Sequence, residues 1–227
     1  LLQGGMNPGL GVPEIEAMLR FIRREYPAIH IHGFSAPEIA VFARLSRLSI
    51  EETLRRLREA GLASIPGGGA EILVDRVRRE LTRGKCGAAE WLDIHRQWHR
   101  LGGRSTATMM FGHIETLEDR VEHMLRVREL QDETGGFTAF ILWTYQPENT
   151  ALQRERALAE VGSWDYLRTL AVARLFLDNI RHLQSSWVTQ GGRIGQISLF
   201  YGCDDMGSTM IEENVVRAAG AEFHMDE

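Results

Sequence analysis

Ala63-Ser64-Ile65-Pro66-Gly67-Gly68-Gly69-Ala70-Glu71-Ile72 is the stretch on which the reading of this chain turns. A short apolar run enters it, three glycines follow, and a carboxylate stands just before a helical pattern. Consecutive glycines weaken the interior of a helix or a strand. They belong where backbone turns sharply or comes close to something else. That puts Glu71 at the mouth of a strand-to-helix turn, where open α/β sheets and barrels collect their ligands. A tight turn with a capping carboxylate fits this stretch alone equally well. The decision depends on whether other strand ends look alike.

Outward from it, strand-like and helical segments alternate. Upstream, Pro13 to Tyr26 is amphipathic, His30 to Phe34 is a short strand, and Ala36 to Arg47 and Ser49 to Ala60 are helices. Ser49 with Glu52 three residues on predicts a capping box, and Gly61 a helix stop. Downstream come helices over Leu73 to Thr82 and Ala88 to Leu101, a strand over Thr106 to Phe111, and a helix capped by Thr116 that runs to Thr134. Phe137 to Tyr145 reads as a strand, 146–150 as a loop, Trp164 to Asn179 as a helix and Leu183 to Val188 as a sixth strand. Helices over Ile194 to Tyr201 and Glu212 to Ala219 close the pattern. Strands that each lead into helix argue for a buried parallel sheet. The preferred architecture is a (βα) barrel of TIM type, incomplete at its N-terminal end, forming a single domain over 1–227. An open doubly wound sheet is the competitor.

Length and composition suit one large globular domain: 227 residues, 44% hydrophobic, 25% charged. The formal charge of -5 and scattered basic residues give no nucleic-acid footprint. No apolar run reaches membrane-spanning length, and no signal peptide opens the chain. Cys86 and Cys203 read as free thiols of a cytoplasmic protein, without the spacing of a metal site. Both ends read as cut, which predicts a piece of a longer protein whose opening strand is missing and whose sheet edge is exposed.

In a parallel barrel the carboxyl ends of the strands converge on one face. This chain puts Gln3-Gly4-Gly5, His30, His32 and Ser35, Gly67 to Glu71, Met109, Met110 and His113, Trp143 to Gln146, and Gln184 to Gln190 there. The set is polar but nearly neutral, which suits a large organic ligand better than a bare phosphate. His30 and His32, two apart on a strand, share a face. With His113 they leave open a metal-dependent hydrolase. Neither glycine stretch has a P-loop or dinucleotide pattern. Trp143, Tyr145 and Trp187 suit either ring stacking or core packing.

Gln3-Gly4-Gly5-Met6-Asn7-Pro8, His30-Ile31-His32-Gly33-Phe34-Ser35, Ile65 to Ile72 and Thr106 to His113 together resemble the radical S-adenosylmethionine (SAM) enzymes of the futalosine menaquinone route and of deazaflavin assembly. Trp143-Thr144-Tyr145-Gln146-Pro147, Ser186 to Gly191 and Gly207 to Asn214 carry the resemblance to the branch that cyclises dehypoxanthine futalosine. It covers essentially the whole chain. Aminofutalosine synthase and the deazaflavin synthase subunit are its near alternatives.

The resemblance implies a barrel, SAM, a four-iron cluster and an external electron donor. It also implies a deoxyadenosyl radical that takes hydrogen from the substrate ribose, ring closure onto the benzoate, and loss of an electron and a proton. By position, Gly4 and Gly5 match the glycine motif that meets the methionyl amine, with Met6 in place of the usual acid. Glu71, Ser35 and Gly68 are expected on the cofactor side. His32, Trp143, Gln146, Trp187 and Gln190 are expected on the substrate side, and His113 as the final base. The cysteine loop that holds the cluster is absent from this stretch of chain, so the 227 residues by themselves are expected to be inactive.

Overall fold

The computed structural model describes residues 1–82, 84–209, 215–220 and 223. Its centre is the pairing of two eight-residue strands, β2 (Arg104–Phe111) and β3 (Phe137–Thr144). β1 (Ser64–Ile65) and β4 (His182–Gln184) flank them, and all pairings are parallel in the order β1-β2-β3-β4. Single parallel bridges extend the run, Leu2 with Gly33 and His32 with Ser64 on one side, Gln184 with Asp205 on the other. The segments therefore lie side by side in sequence order. A doubly wound sheet reverses its order at a switch point; a (βα) barrel does not. The observed order is consistent with an incomplete (βα) barrel, and the described run ends at Leu2 on one side and at Asp205 on the other.

The helices are α1 (Val12–Glu25), α2 (Ala36–Ser46), α3 (Ile50–Ala60), α4 (Asp75–Leu81), α5 (Ala88–Arg100), α6 (Leu117–Thr134), α7 (Ala151–Arg156), α8 (Ser163–Phe176), α9 (Trp187–Ser198) and α10 (Val215–Ala218). Strand alternation sorts the two faces of the sheet. Ala107, Met109 and Phe111 of β2, with Phe140 and Leu142 of β3, are fully buried, in one core with Trp91, Val127 and Leu170 of the helices. Burying side chains of this size contributes roughly 1.5–3 kcal/mol each. The other face carries Thr106, Thr108, Ile141, Trp143 and Gln184, half-buried and mostly polar.

Most expected elements are present, and the differences have local causes. The segment 30–34 forms bridges only at His32 and Gly33. Ser49 accepts the Glu52 N–H at 3.1 Å, but the Glu52 carboxylate turns to Arg55 instead of completing the capping box. The loop expected over 146–150 is present, and α7 follows it, capped by Thr150, which accepts the Gln153 N–H at 3.2 Å. The sixth strand is shorter than expected, since Ser186 is already the N-cap of α9. α9 is kinked at Gly191, whose φ of 80° and ψ of 157° are not helical. The helix expected over Ile194 to Tyr201 is the second half of α9 with a 3-10 turn, Leu199–Tyr201. Of the helix expected from Glu212, Val215–Ala218 is helical and 212–214 lie outside the described residues.

Three imidazoles are locked in the core as neutral groups. His95 Nδ1 and His99 Nε2 lie 3.0 and 2.7 Å from Ser105 Oγ. His123 Nδ1 accepts the Leu73 N–H at 2.9 Å. Burial holds His95 well below the ordinary histidine range, His99 at about 4 and His123 at about 3. The unfolded chain takes up these protons near pH 6.5 and the folded chain does not. Their stabilisation is therefore complete above the unfolded value and is lost as the pH falls below it. The loss approaches ~1.4 kcal/mol per pH unit for each histidine. Urea unfolding should show stability falling steadily from pH 7 to 5, before carboxylates titrate. Equal stability at the two pH values contradicts this account of the core.

Candidate cofactor and substrate site

One buried carboxylate shapes the first two strand ends. Ser35 is the N-cap of α2, Pro37 lies in its first turn, and Glu38 is the third helical residue. In Ser35-Ala36-Pro37-Glu38 the acid reaches back to the cap in a capping box. Glu38 Oε2 accepts from Ser35 N–H at 2.7 Å and from Ser35 Oγ at 2.6 Å. Oε1 accepts from the N–H groups of Gly4 and Gly5 at 2.9 and 3.1 Å. Glu38 is 3% exposed, yet its partners come from two strand ends 30 residues and more apart. A side chain on Gly4 or Gly5 would meet nothing within 4 Å, so this backbone borders open space.

The glycines of 67–69 behave differently. A Cβ on Gly67 would lie 2.6 Å from Ala107 Cα, against the backbone of β2. Gly67 also binds Thr106 Oγ1 through its N–H at 2.9 Å and Thr108 Oγ1 through its carbonyl at 2.7 Å. Gly69 has φ +75°, and a Cβ there would lie 2.4 Å from Pro37 Cγ. Protein fills the space beside both, so the expected room for a ligand is absent at Gly67 and Gly69. Gly68 faces a movable group, the Gln3 amide, with Ser35 beyond it. Buried Arg78 fastens the loop by donating to the carbonyls of Gly69, Ala70 and Cys86. Glu71 sits in the left-handed region with φ 43°, its carbonyl accepts the Met110 N–H at 2.8 Å, and its carboxylate pairs with Lys85. Lys85 carries no signal in the sequence, because it approaches from the α4–α5 connection.

After β2, Glu115 organises the turn. It accepts from the N–H groups of Gly112 and His113 at 2.7 and 2.8 Å and pairs with Arg120 at 3.0 Å. Burial alone would raise the Glu115 pKa, but His113 and the two backbone donors overcome it and hold the group at about 2. The His113 ring is enclosed, with Nε2 3.1 Å from Met110 O and Nδ1 lying 2.7 Å from Ile114 N and 2.8 Å from Glu115 Oε2. Both ring nitrogens have partners within the chain, and Tyr145 stands edge-on to the ring with centroids 6.1 Å apart.

Beyond β3, Thr144 brings together two of the expected residues. Gln190 Nε2 donates to Thr144 Oγ1 at 2.9 Å, and Gln146 Nε2 lies 3.2 Å from both the hydroxyl and the carbonyl of Thr144. Trp187, at the start of α9, is 6% exposed, while Trp143 is half-buried on the open face of the sheet. His32 and His30 meet on Ser64, whereas His113 is held by the turn after β2. The described residues contain no group of three or more histidines, cysteines or acids able to hold a metal, so the three histidines of the hydrolase reading are not gathered.

Cys86 and Cys203 are buried free thiols, each pushed up to about 11 by burial. Two protonated thiols do not make a set of cluster ligands. Incubating the 227-residue chain anaerobically with iron and sulfide should therefore leave no charge-transfer absorption, and a strong band contradicts this. The glycines give a second test. Gly69→Ala should lower stability by roughly 2 kcal/mol, from overpacking and a strained φ. Gly4→Ala should cost less than about 0.5 kcal/mol. Equal costs in thermal unfolding would contradict the contrast between the two glycine stretches.

Comparison with known proteins gives this geometry its context. Residues 134–227 match the CofH/MqnC C-terminal region, and residues 1–127 match the Radical SAM superfamily. The chain is 49% identical over 220 residues to cyclic dehypoxanthine futalosine synthase of Halalkalibacterium halodurans, covering 97% of this chain and 59% of that protein. It is 46% identical over 205 residues to aminodeoxyfutalosine synthase of Thermus thermophilus, covering 90% of this chain and 55% of that protein. It is 42% identical over 225 residues to 5-amino-6-(D-ribitylamino)uracil--L-tyrosine 4-hydroxyphenyl transferase 1 of Methanosarcina acetivorans, covering 97% and 60%. The chain spans a little over half the length of these relatives. With one family match over its first 127 residues and parallel strands in sequence order beneath an open glycine-lined rim, the chain belongs to the radical SAM superfamily.

Proposed function

We propose that the protein containing this chain is a radical SAM cyclase that converts dehypoxanthine futalosine to cyclic dehypoxanthine futalosine in menaquinone biosynthesis. The observation that carries this is the 49% identity to a cyclic dehypoxanthine futalosine synthase across 97% of the chain. The 46% identity to aminodeoxyfutalosine synthase keeps that sister activity as the second reading. We take 1–227 to fold as one partial barrel, in a cytoplasmic protein that draws on an external electron donor. No helix among the described residues is long and apolar enough to cross a membrane.

The strand ends fit SAM and do not fit the cluster. SAM, when bound and given one electron by a reduced iron–sulfur cluster, would supply a carbon radical able to take hydrogen from the ribose of the substrate. Gly4 and Gly5 leave open space beside their backbone, with both N–H groups turned to Glu38. Their free side then suits the methionyl end of the cofactor, a cation, and the Glu38 carboxylate supplies the negative charge that Met6 cannot. Ser35 fixes Glu38 in place. Gly68 and Glu71 would border the cofactor from the next strand end, Glu71 with its charge balanced by Lys85. His32, Trp143, Gln146, Trp187 and Gln190 remain the substrate side. Thr144 orients both glutamine amides by accepting from their Nε2 atoms, which leaves each Oε1 as an acceptor for donors on the substrate. His113 suits the role of general base less well than expected, since both ring nitrogens already have partners.

The test is turnover by the whole protein, reconstituted anaerobically with iron and sulfide and supplied with reductant, SAM and dehypoxanthine futalosine. Cyclic product and 5'-deoxyadenosine are expected together. Gln146→Ala and Gln190→Ala should each raise KM by about tenfold, the scale of one lost hydrogen bond in a polar site. Inertness toward dehypoxanthine futalosine, with turnover of an aminofutalosine precursor, would overturn the assignment in favour of the sister activity.

A further inference from the structure

On the open face of the sheet, three side chains stand in line. Ser64 Oγ lies 2.6 Å from His32 Nδ1 and 2.7 Å from His30 Nε2. Strand pairing fixes the spacing: Gly33 N–H donates to Ser64 O at 3.1 Å, and His32 O accepts the Leu2 N–H at 2.8 Å. Ser64 is buried between half-buried His32 on one side and exposed His30, the end of the line that meets solvent, on the other. A serine hydroxyl has a single hydrogen to give. With an imidazole nitrogen on each side, it donates to one ring and accepts from the other. Reversing that polarity is a proton transfer.

We propose that His32, Ser64 and His30 form a two-hop proton relay, carrying the proton released in the cyclisation from the open face of the sheet to solvent. The proposal depends on the cyclase reading for the source of that proton. His32 Nε2 takes the proton as the C–H bond of the cyclised substrate breaks, and its Nδ1 hydrogen passes to Ser64 Oγ. The Ser64 hydrogen passes to His30 Nε2, and His30 releases its Nδ1 hydrogen to water. Each residue gains one proton and loses one, and both rings finish in the other neutral tautomer, which a return of the same protons along the line resets. Only protons move along this line; the electron given up in the same oxidation goes to a one-electron acceptor such as an iron–sulfur centre.

Two features support the direction. Burial lowers His32 from the ordinary histidine range. A proton accepted at His32 is therefore passed on instead of being stored. The enclosed His113 ring has no comparable connection to solvent, because its partners are Met110 O, the Ile114 N–H and Glu115.

The relay is tested in the whole reconstituted enzyme by the ratio of cyclic product to 5'-deoxyadenosine across pH 6 to 9. Ser64→Ala and His30→Gln should lower the ratio about tenfold or more, with the loss deepest at low pH, where proton release is hardest. Ser64→Thr, which keeps the hydroxyl, should restore it to within about twofold of the parent. Ratios within about twofold of the parent in both Ser64→Ala and His30→Gln overturn the relay. His30 is exposed, so its variant remains informative should the Ser64 variant fold poorly. Ring-nitrogen NMR of the same protein separates failure of the relay from failure of the cyclase reading. Linked titration of His30 and His32, unlinked in Ser64→Ala, supports the relay even where no cyclic product forms, and independent titration in the parent overturns it.

Discussion

The rim of this sheet depends on one carboxylate that accepts four hydrogen bonds. Glu38 is bound by two backbone N–H groups from the first segment and by the N–H and hydroxyl of Ser35 at the start of α2. A buried carboxylate is costly unless its lone pairs are filled. Filling them here fixes the Gly4–Gly5 backbone relative to the helix that follows the next segment. The same bonds turn the glycine N–H groups inward and leave their other side open. Anchoring and exposure of the loop thus have one cause. The negative charge also remains near the rim without a basic side chain to cancel it among the contacts of Glu38.

The second constraint is the absence of side chains at Gly67 and Gly69. β1 is two residues long, and the chain leaving it passes so close to β2 and to Pro37 that a methyl group would overlap Ala107 or the proline ring. Arg78 then ties three carbonyls of this region together from α4. One glycine stretch is closed by packing at Gly67 and Gly69, the other is open, and Gly68 faces the Gln3 amide between them.

Much of this was legible in the residues. Thr116 and Asp119 place the start of α6, where both halves of the capping box form. The apolar run at 137–145 gives β3, and the two-residue spacing of His30 and His32 puts both rings on Ser64. The part that was not legible concerns partners distant in sequence. Ser35-Ala36-Pro37-Glu38 announces a helix start, but not that the same acid reaches back more than 30 residues to two glycines. Lys85 and Thr144 acquire their roles only through the pairing of distant segments. Ser186-Trp187-Val188 reads as strand because Trp and Val favour strands, yet it opens α9. Three glycines in a row signal close approach without saying whether protein or ligand approaches.

The central claim is that the glycine loop anchored by Glu38 receives the cofactor. A crystal structure of the whole protein with SAM bound tests it most directly. The account predicts the methionyl nitrogen within about 3 Å of the backbone at Gly4 or Gly5, with Glu38 still bound to both N–H groups on the far side. SAM seated elsewhere on the rim, or a Glu38 carboxylate detached from the glycines when SAM is bound, would contradict it.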